Sequence, residues 1–437
     1  MKLATRVGEE FRSTVNWTVG HGLPVKLLGR AAAHGDLQAQ MILSGRQGTD
    51  VLDIIEQLRA SGPLYHSRIG YVATSHAAVK EVLVSEAFRT GFPTNEGPLG
   101  GIARWSGPRH LHPVEPPSLL VVDPPEHTRY RKLVTKVFTR RAVEKLRERT
   151  EIVASDLLDA MAARSDSPVD LVEAYCSRLP VTIIAEILGV PESERGRVLD
   201  FGGAAAPSLD MGLGLRQYRE VNAALKSFDA WLGDHLDELR RNPGDNLLSE
   251  LVLASDEGQV LNKEELRATA GLVLAAGFET TVNLLSNGIA LLHDHPDQRA
   301  LLDEDPSRWA TAVEEVLRVD PPVLLTGRTS REDTTIAGES IAAGTMVTTV
   351  LAGANRDPEV FTDPTRFDVT RANAREHLSF SAGRHHCLGA ALARMEGEVG
   401  LRMLWERFPD LQLLPGSKRR STRILRGFEV QPALLKA

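Results

Sequence analysis

Between Asn262 and Pro296 the chain carries a stretch of helical spacing too long to lie on the surface of a compact body. Asn262 followed three residues later by Glu265 reads as a capping box, and Pro296 supplies the stop. The helix predicted between them, Lys263 to His293, is 31 residues, or roughly 45 Å at 1.5 Å per residue. A rod of that length must cross the whole body, so the remainder folds around it and its middle is buried. That middle reads Ala275-Ala276-Gly277-Phe278-Glu279-Thr280-Thr281. A mid-helix glycine costs about 1 kcal/mol relative to alanine. A buried carboxylate costs several times that unless paired. Adjacent threonines offer hydroxyls that bond back to the i−4 carbonyl and bend a helix. Local rules broken this densely point to function.

The chain of 437 residues is long enough for about three domains, yet no linker divides it. With 42% apolar residues, one large core is feasible. The expectation is an N-terminal segment, residues 1–60, that carries no motif and packs on the body, and a single catalytic body, residues 60–437. The net charge of −7 excludes a general nucleic-acid binder. Two cysteines, Cys176 and Cys387, make no disulfide framework and fit a reducing, cytoplasmic setting. The N-terminus lacks an apolar signal core, and no stretch approaches the roughly 18 apolar residues of a membrane span. Most of the chain has helical spacing. Strands are predicted as a hairpin over 64–72 with Gly70 near its turn, and as short pieces at 334–336, Ile341 and 346–352. Residues 91–125 and 202–215 are irregular and read as lids or binding loops.

A second constellation is Phe380-Ser381-Ala382-Gly383-Arg384-His385-His386-Cys387-Leu388-Gly389, followed by a helical run from Ala390. Glycine lets backbone approach a flat ligand closely, and a helix N-terminus favours a thiolate. This suits a cysteine that ligates a metal. Cys176, inside an apolar run, reads as a small core residue. Zinc would need a further ligand at regular spacing. His110 and His112 are another close histidine pair, and nothing in the sequence ties them to this loop.

Together these segments resemble the cytochrome P450 superfamily, in its soluble bacterial form and more specifically an actinobacterial, mycobacterial-type subfamily. The loop is similar to the family's Phe-x-x-Gly-x-x-x-Cys-x-Gly ligand loop, with Ser381 where glycine is common and His386 before the cysteine. Ala276–Thr281 is similar to the (Ala/Gly)-Gly-x-(Asp/Glu)-Thr-Thr signature of its long central helix. Glu315-Val316-Leu317-Arg318 matches its Glu-x-x-Arg motif, which the resemblance implies is a buried ion pair joined by Arg366. The resemblance covers roughly residues 60–430.

It implies a mainly α fold with a small β region, and haem b held by the Cys387 thiolate within Phe380, Gly383 and Gly389. Its propionates would be met by His127, Arg131, Arg328 and His385. It implies hydroxylation with dioxygen, Glu279 and Thr280 organising proton delivery and Gly277 opening the helix. Electrons would come from an external ferredoxin with an NAD(P)H-dependent reductase, docking over Lys132, Lys136 and Arg140 if helical spacing persists that far, with Arg384 and Arg394 adding charge. By order along the chain the pocket falls to Leu272, Ala275, Ala276, Val323, Leu324, Leu325, Ile424 and Leu425, beneath a loop holding Leu99 and Ile102 and a roof holding Leu209, Met211 and Leu213. These are apolar, so a hydrophobic small molecule (a lipid, terpenoid or polyketide) is the expected substrate. A peroxide-driven or isomerising enzyme on the same scaffold, and a non-catalytic haem sensor or carrier, remain open at this point.

Overall fold

The computed structural model describes residues 2–47, 50–91, 100–107, 110–163, 167–256 and 261–435. Leu99 and most of the loop before it lie outside the described residues. In chain order the elements that matter here are as follows. Helices α1 (Lys2–Trp17) and α2 (Leu23–Ala33) come first. Strands β1 (Leu64–Ser67), β2 (Gly70–Ala73) and β3 (Phe88–Thr90) follow, then helices α3 (Gly100–Ser106), α4 (Glu126–Val134), α5 (Leu215–Arg241), α6 (Lys263–Asp294) and α7 (Trp309–Val319). Strands β4 (Leu325–Ser330) and β5 (Met346–Val350) precede the last helix, α8 (Ala390–Arg407). The fold is mainly α, with the one larger sheet ordered β1-β2-β5-β4-β3.

The expected hairpin is β1 with β2, Leu64 opposite Ala73. Gly70 sits there at φ +145°, and a Cβ at that position would come within 2.4 Å of the Met346 carbonyl. Thr334–Ile336 pairs with Glu339–Ile341 across positive-φ Gly338.

Helix α6 has the predicted capping box. Asn262 accepts from the Glu264 and Glu265 N–H groups, and Glu265 accepts from the Asn262 N–H. It is one continuous α-helix of 32 residues. Contrary to the sequence expectation, its length and the mean hydropathy of 1.3 over its most apolar 18 residues do meet those of a membrane span, but 72% of that window is buried inside the protein. It is apolar because it is the core rod. Glycines set how closely its neighbours approach. A Cβ on Gly277 would lie 2.7 Å from Ile184, and one on Gly288 2.6 Å from Leu401. From the opposing helix α8, a Cβ on Gly400 would lie 2.7 Å from Leu285. Gly277 is therefore a packing glycine, and the helix is not opened at that residue.

Candidate active site

On one side of α6 stands a frame of buried charge. Arg318 and Glu315, both fully buried, form a two-pronged pair with two 2.7 Å contacts. The remaining Arg318 donors reach the carbonyls of Asn355, Pro364 and Arg366 at 2.6–3.0 Å. Such a pair stands only when its remaining donors are met, and here they are. The arginine that joins it is Arg371, whose Nε donates to Glu315 Oε1 at 3.0 Å. The expectation of Arg366 is corrected. Arg366 is exposed and gives the network only its backbone carbonyl. Both arginines follow Pro364, and spacing alone did not separate them. Beside this pair, Glu314 meets His377, Arg394 and Arg375 at 2.8–3.1 Å. Burial pushes Glu314 up, but the His377 and Arg394 bonds outweigh it and hold the carboxyl at about 2.

That frame supports the cysteine loop. His377 flanks Phe380, and the Arg394 guanidinium lies 4.4 Å from the Phe380 ring centre. The Cys387 N–H donates to the Phe380 carbonyl at 2.8 Å. Gly383 has φ +67°, and a Cβ there would strike the Leu83 carbonyl at 2.7 Å. Ser381 holds φ +61° without being glycine, at a cost of roughly 1–2 kcal/mol. Gly389 caps α8 at φ −85°, and a Cβ there would meet nothing within 4 Å, so the backbone before Ala390 fronts open space. Cys387 is exposed to that space yet ringed by protein. Burial pushes its thiol up. The Gly389 N–H, Arg131 and Arg394 pull it back only in part, and a bound metal cation would complete deprotonation. Cys176 is fully buried and pushed above the range of any reactive thiol.

Next to the loop lies a cluster of basic groups. The His127 ring on α4 lies 4.2 Å from that of His385, tilted by 53°. Arg131, one turn on, donates to the His386 carbonyl at 2.7 Å. Arg328 on β4 is 4% exposed, and its Nη1 donates to Thr326 and to the Gly327 carbonyl. Among the described residues none of His127, Arg131 and Arg328 has a carboxylate partner. His385 is 3.9 Å from Asp123, which is itself held by Arg331 at 2.9 Å. The ring nitrogens Nε2 of His127 and His385 are buried without hydrogen bonds. Burial, then His385 and Arg131, push His127 down to about 4. Burial pushes Arg328 down to about 10. Buried cations and donors crowded in this way call for anions. The residues present therefore fit a haem, with a thiol in reach of iron, an open glycine face and donors for two propionates.

On α6, Ala276 and Thr280 stand on the open side, and the Thr280 hydroxyl donates to the Ala276 carbonyl at 3.2 Å. Glu279 points elsewhere. It is buried and 2.6 Å from Arg420, a residue in no motif and missed from sequence. Burial pushes Glu279 up, and Arg420 opposes this.

An apolar cleft, open to solvent at one side, lies between α5, α6 and residues 111–118. Leu272 and Ala275 line it with Val198, Phe201 and Phe228. The other expected lining residues do not. Leu324 and Leu325 are core beside Met41 and Ile55, with Ile424 packed against them. Leu425 is buried and bridges Val323, itself packed on a neighbouring core. Ala276 faces away from this pocket, and Ile102 is exposed. Of the roof residues, Met211 packs on the N-terminal helices, Leu213 clusters with Tyr218, Val221 and Leu225 of α5 where Trp17 packs against them, and Leu209 is half-buried without lining the pocket. An order-along-the-chain argument gives the right segments but not the face each presents. Likewise α4 ends at Val134, and a 3-10 turn and a new helix follow. Lys132, Lys136 and Arg140 are all exposed but do not form one α-helical stripe. Arg394 is engaged by Glu314.

Residues 209–307 and 310–436 match the family model described as Cytochrome P450. A Mycobacterium tuberculosis (strain ATCC 25618 / H37Rv) protein designated cytochrome P450 140 is 48% identical over 97% of this chain and 98% of its own. The vitamin D(3) 25-hydroxylase of Pseudonocardia autotrophica is 42% identical over 73% of this chain and 78% of its own. The crystal structure of ligand-free Mycobacterium smegmatis CYP164A2 matches with a TM-score of 0.81 at 33% identity, covering 91% of this chain and 99% of that one. Members of this family hold protoporphyrin haem through a cysteine thiolate, and use dioxygen and a redox partner to oxidise small molecules. The chain belongs to the cytochrome P450 family, as an oxidoreductase of the monooxygenase class.

Proposed function

We propose that this protein hydroxylates a hydrophobic small molecule (a lipid, terpenoid or polyketide) as a soluble cytoplasmic enzyme, with two electrons from an external ferredoxin and its NAD(P)H-dependent reductase. The pocket carries the reading: of its sixteen lining residues, only His112 and Ser118 have polar side chains. Burial above all, with His110 and His21 adding to it, pushes His112 down to about 4, so it is uncharged at neutral pH. A pocket of this kind rejects ionic ligands, whose burial is costly, and holds apolar ones by surface burial. The Pseudonocardia relative, a vitamin D(3) 25-hydroxylase by name, is in keeping with this.

In this reading Cys387 would hold the haem iron through its sulfur, and His127, Arg131, Arg328 and His385 would meet the propionates. Bound there, the haem supplies the dioxygen chemistry, which thiolate electron density favours. The chain supplies position and protons. Thr280 presents its hydroxyl beside Ala276 on the open side of α6, where it can order a water and pass a proton toward the haem face. Glu279, pushed up by burial but 2.6 Å from Arg420 and pointing away from Thr280, could feed protons to it only on release from that pair. Thr280→Ala should bind haem and ligand as before but lose roughly 10²-fold in product formed per NAD(P)H, a general-acid loss, with hydrogen peroxide released instead. Full coupling in that variant would remove the threonine from this role.

The test of function is a titration watching the haem spin shift, followed by turnover with ferredoxin, reductase and NAD(P)H. Fatty acids, sterols and polyketides should give the shift and product, and sugar phosphates and amino acids should not. Turnover with hydrogen peroxide alone at the same rate would favour the partner-independent alternative. Ligand binding without any turnover would favour a sensor. Lys132→Glu with Lys136→Glu should slow reduction by an acidic ferredoxin at low salt and leave ligand affinity unchanged.

A further inference from the structure

The N-terminal helices hold the roof segment. The Trp17 indole N–H donates to the Leu213 carbonyl at 2.8 Å. His21 Nδ1 accepts from the Gly212 and Leu213 N–H groups at 3.0 and 3.2 Å, and its ring lies 5.1 Å from that of Tyr218. The Asn16 amide donates to the Tyr218 hydroxyl at 2.7 Å. Met211 packs on the cluster of Leu28 and Ala31 in α2. At its other end the same segment reaches α3, which leads into the pocket-lining residues 111–118. The Arg12 guanidinium donates to the Trp105 carbonyl at 2.9 Å and lies 5.6 Å from the ring centre, and Phe11 meets that ring edge-on at 6.4 Å.

The two attachments differ in how firmly they are seated. Phe11 and Trp105 are 63% and 52% exposed, so their contact buries little. On the far side of the roof, Asp210 is 6% exposed. It accepts from the Arg423 and Ile424 N–H groups at 3.0–3.1 Å, while Arg423 is tied onward to the Ile42 carbonyl. Opening at Asp210 would strip a buried carboxylate of its donors, which is costly. Parting Phe11 and Arg12 from Trp105 exposes little that water does not already touch.

We infer that residues 11–21 form a strap tying together the two segments, 100–106 and 207–215, that adjoin the pocket-lining residues 111–118 and 198–205. In this arrangement bulky ligands reach the pocket by release of the Phe11/Arg12–Trp105 clasp, and Asp210 stays fixed as the hinge. Trp17 and His21 are positioning residues, since they hold the roof backbone and touch no ligand. Small molecules, which need no wide opening, are indifferent to the strap.

The experiment uses full-length holoprotein and two azoles that ligate haem iron whatever molecule the enzyme oxidises, so its outcome is separate from the substrate-class reading. Imidazole is the small probe and clotrimazole the bulky one, each followed by stopped-flow through the Soret shift. Trp17→Ala/His21→Ala should raise the clotrimazole on-rate about tenfold, the scale of one or two lost hydrogen bonds. Phe11→Cys/Trp105→Cys should also raise it, and joining the two thiols with a short bismaleimide should drop it about tenfold below wild type. The imidazole on-rate should stay within about twofold throughout, because its path needs no rearrangement. Amide hydrogen exchange in Trp17→Ala/His21→Ala should quicken at residues 212–218 and not at 423–424. Clotrimazole rates that ignore both changes, or imidazole rates that move in step with them, would overturn the strap. So would exchange that quickens equally at 423–424.

Discussion

Around Arg318 the donors reach acceptors within 3.0 Å, and Glu315 is fully enclosed. Over the pocket, by contrast, the lining is almost bare of polar side chains and the covering segments are irregular. The cysteine side is held by direction, through many bonds each with one permitted geometry. The pocket side is held by apolar burial, which has no direction and tolerates rearrangement. The difference teaches where this chain has freedom. A site that must fix one cofactor uses the first kind of matter, and a site that must admit a flexible ligand uses the second.

The sharpest way to break that comparison is Cys387→Ser. Reduced, CO-bound protein should lose the far-shifted Soret band of a thiolate haem completely, while Cys176→Ser keeps it. Loss of the band in the Cys176 variant would reverse the assignment of the two cysteines.

A paired truncation comes next. Glu315→Ala strands Arg318 without its carboxylate in a fully buried place, at roughly 3–5 kcal/mol, and should give little haem-loaded protein. Phe201→Ala removes more atoms but from a half-buried pocket wall, and should cost less than the 3–5 kcal/mol range of a fully buried phenylalanine. Its main effect should be a preference for larger ligands. Equal losses of melting temperature would erase the distinction between the two sides.

A third measurement is acid stability. Glu314 sits at about 2 against an ordinary value of 4.5, so its contribution is complete above about pH 4.5. It is lost as pH falls through about 2, and is worth about 3 kcal/mol at most. Glu314→Gln should flatten this acid limb of the unfolding curve. An unchanged limb would mean that His377 and Arg394 do not hold the carboxylate.

How much of this was legible in the sequence follows the same division. The capping box of α6, the β1–β2 hairpin, the cysteine loop and the Glu315–Arg318 pair all announce themselves through fixed spacings, because each depends on a local bond of fixed geometry. Arg371 in place of Arg366, and Arg420 beside Glu279, did not. Their partners are distant in sequence, and a lone arginine looks the same whether it is buried or solvated. The pocket was half legible. Apolar segments were identified, but apolar residues look alike whether they line a cavity, fill a core or, as with Met211 and Leu213, hold another element from outside. Gly277 was legible as unusual and misread as an opening, since a packing glycine and a hinge glycine share one letter.

The smallest effect sharpens the picture of the cysteine loop. Ser381→Gly should raise thermal stability by about 1 kcal/mol, because it relieves a left-handed backbone at φ +61°. A loss instead would mean that the serine hydroxyl finds a partner once haem is bound.

The glycine contacts along α6 have a mechanical meaning. Ile184 sits against Gly277, Leu401 against Gly288, and Leu285 of α6 against Gly400. Each is a key in a slot, and the contacts are spaced along one face of the rod. Sliding or turning the rod by one residue would drive every key into a wall at once. The rod is thus an axle locked in its bearings. Whatever strain a ligand imposes must be taken up in the casing around it, and variants that fill those slots should seize the whole machine rather than loosen one part.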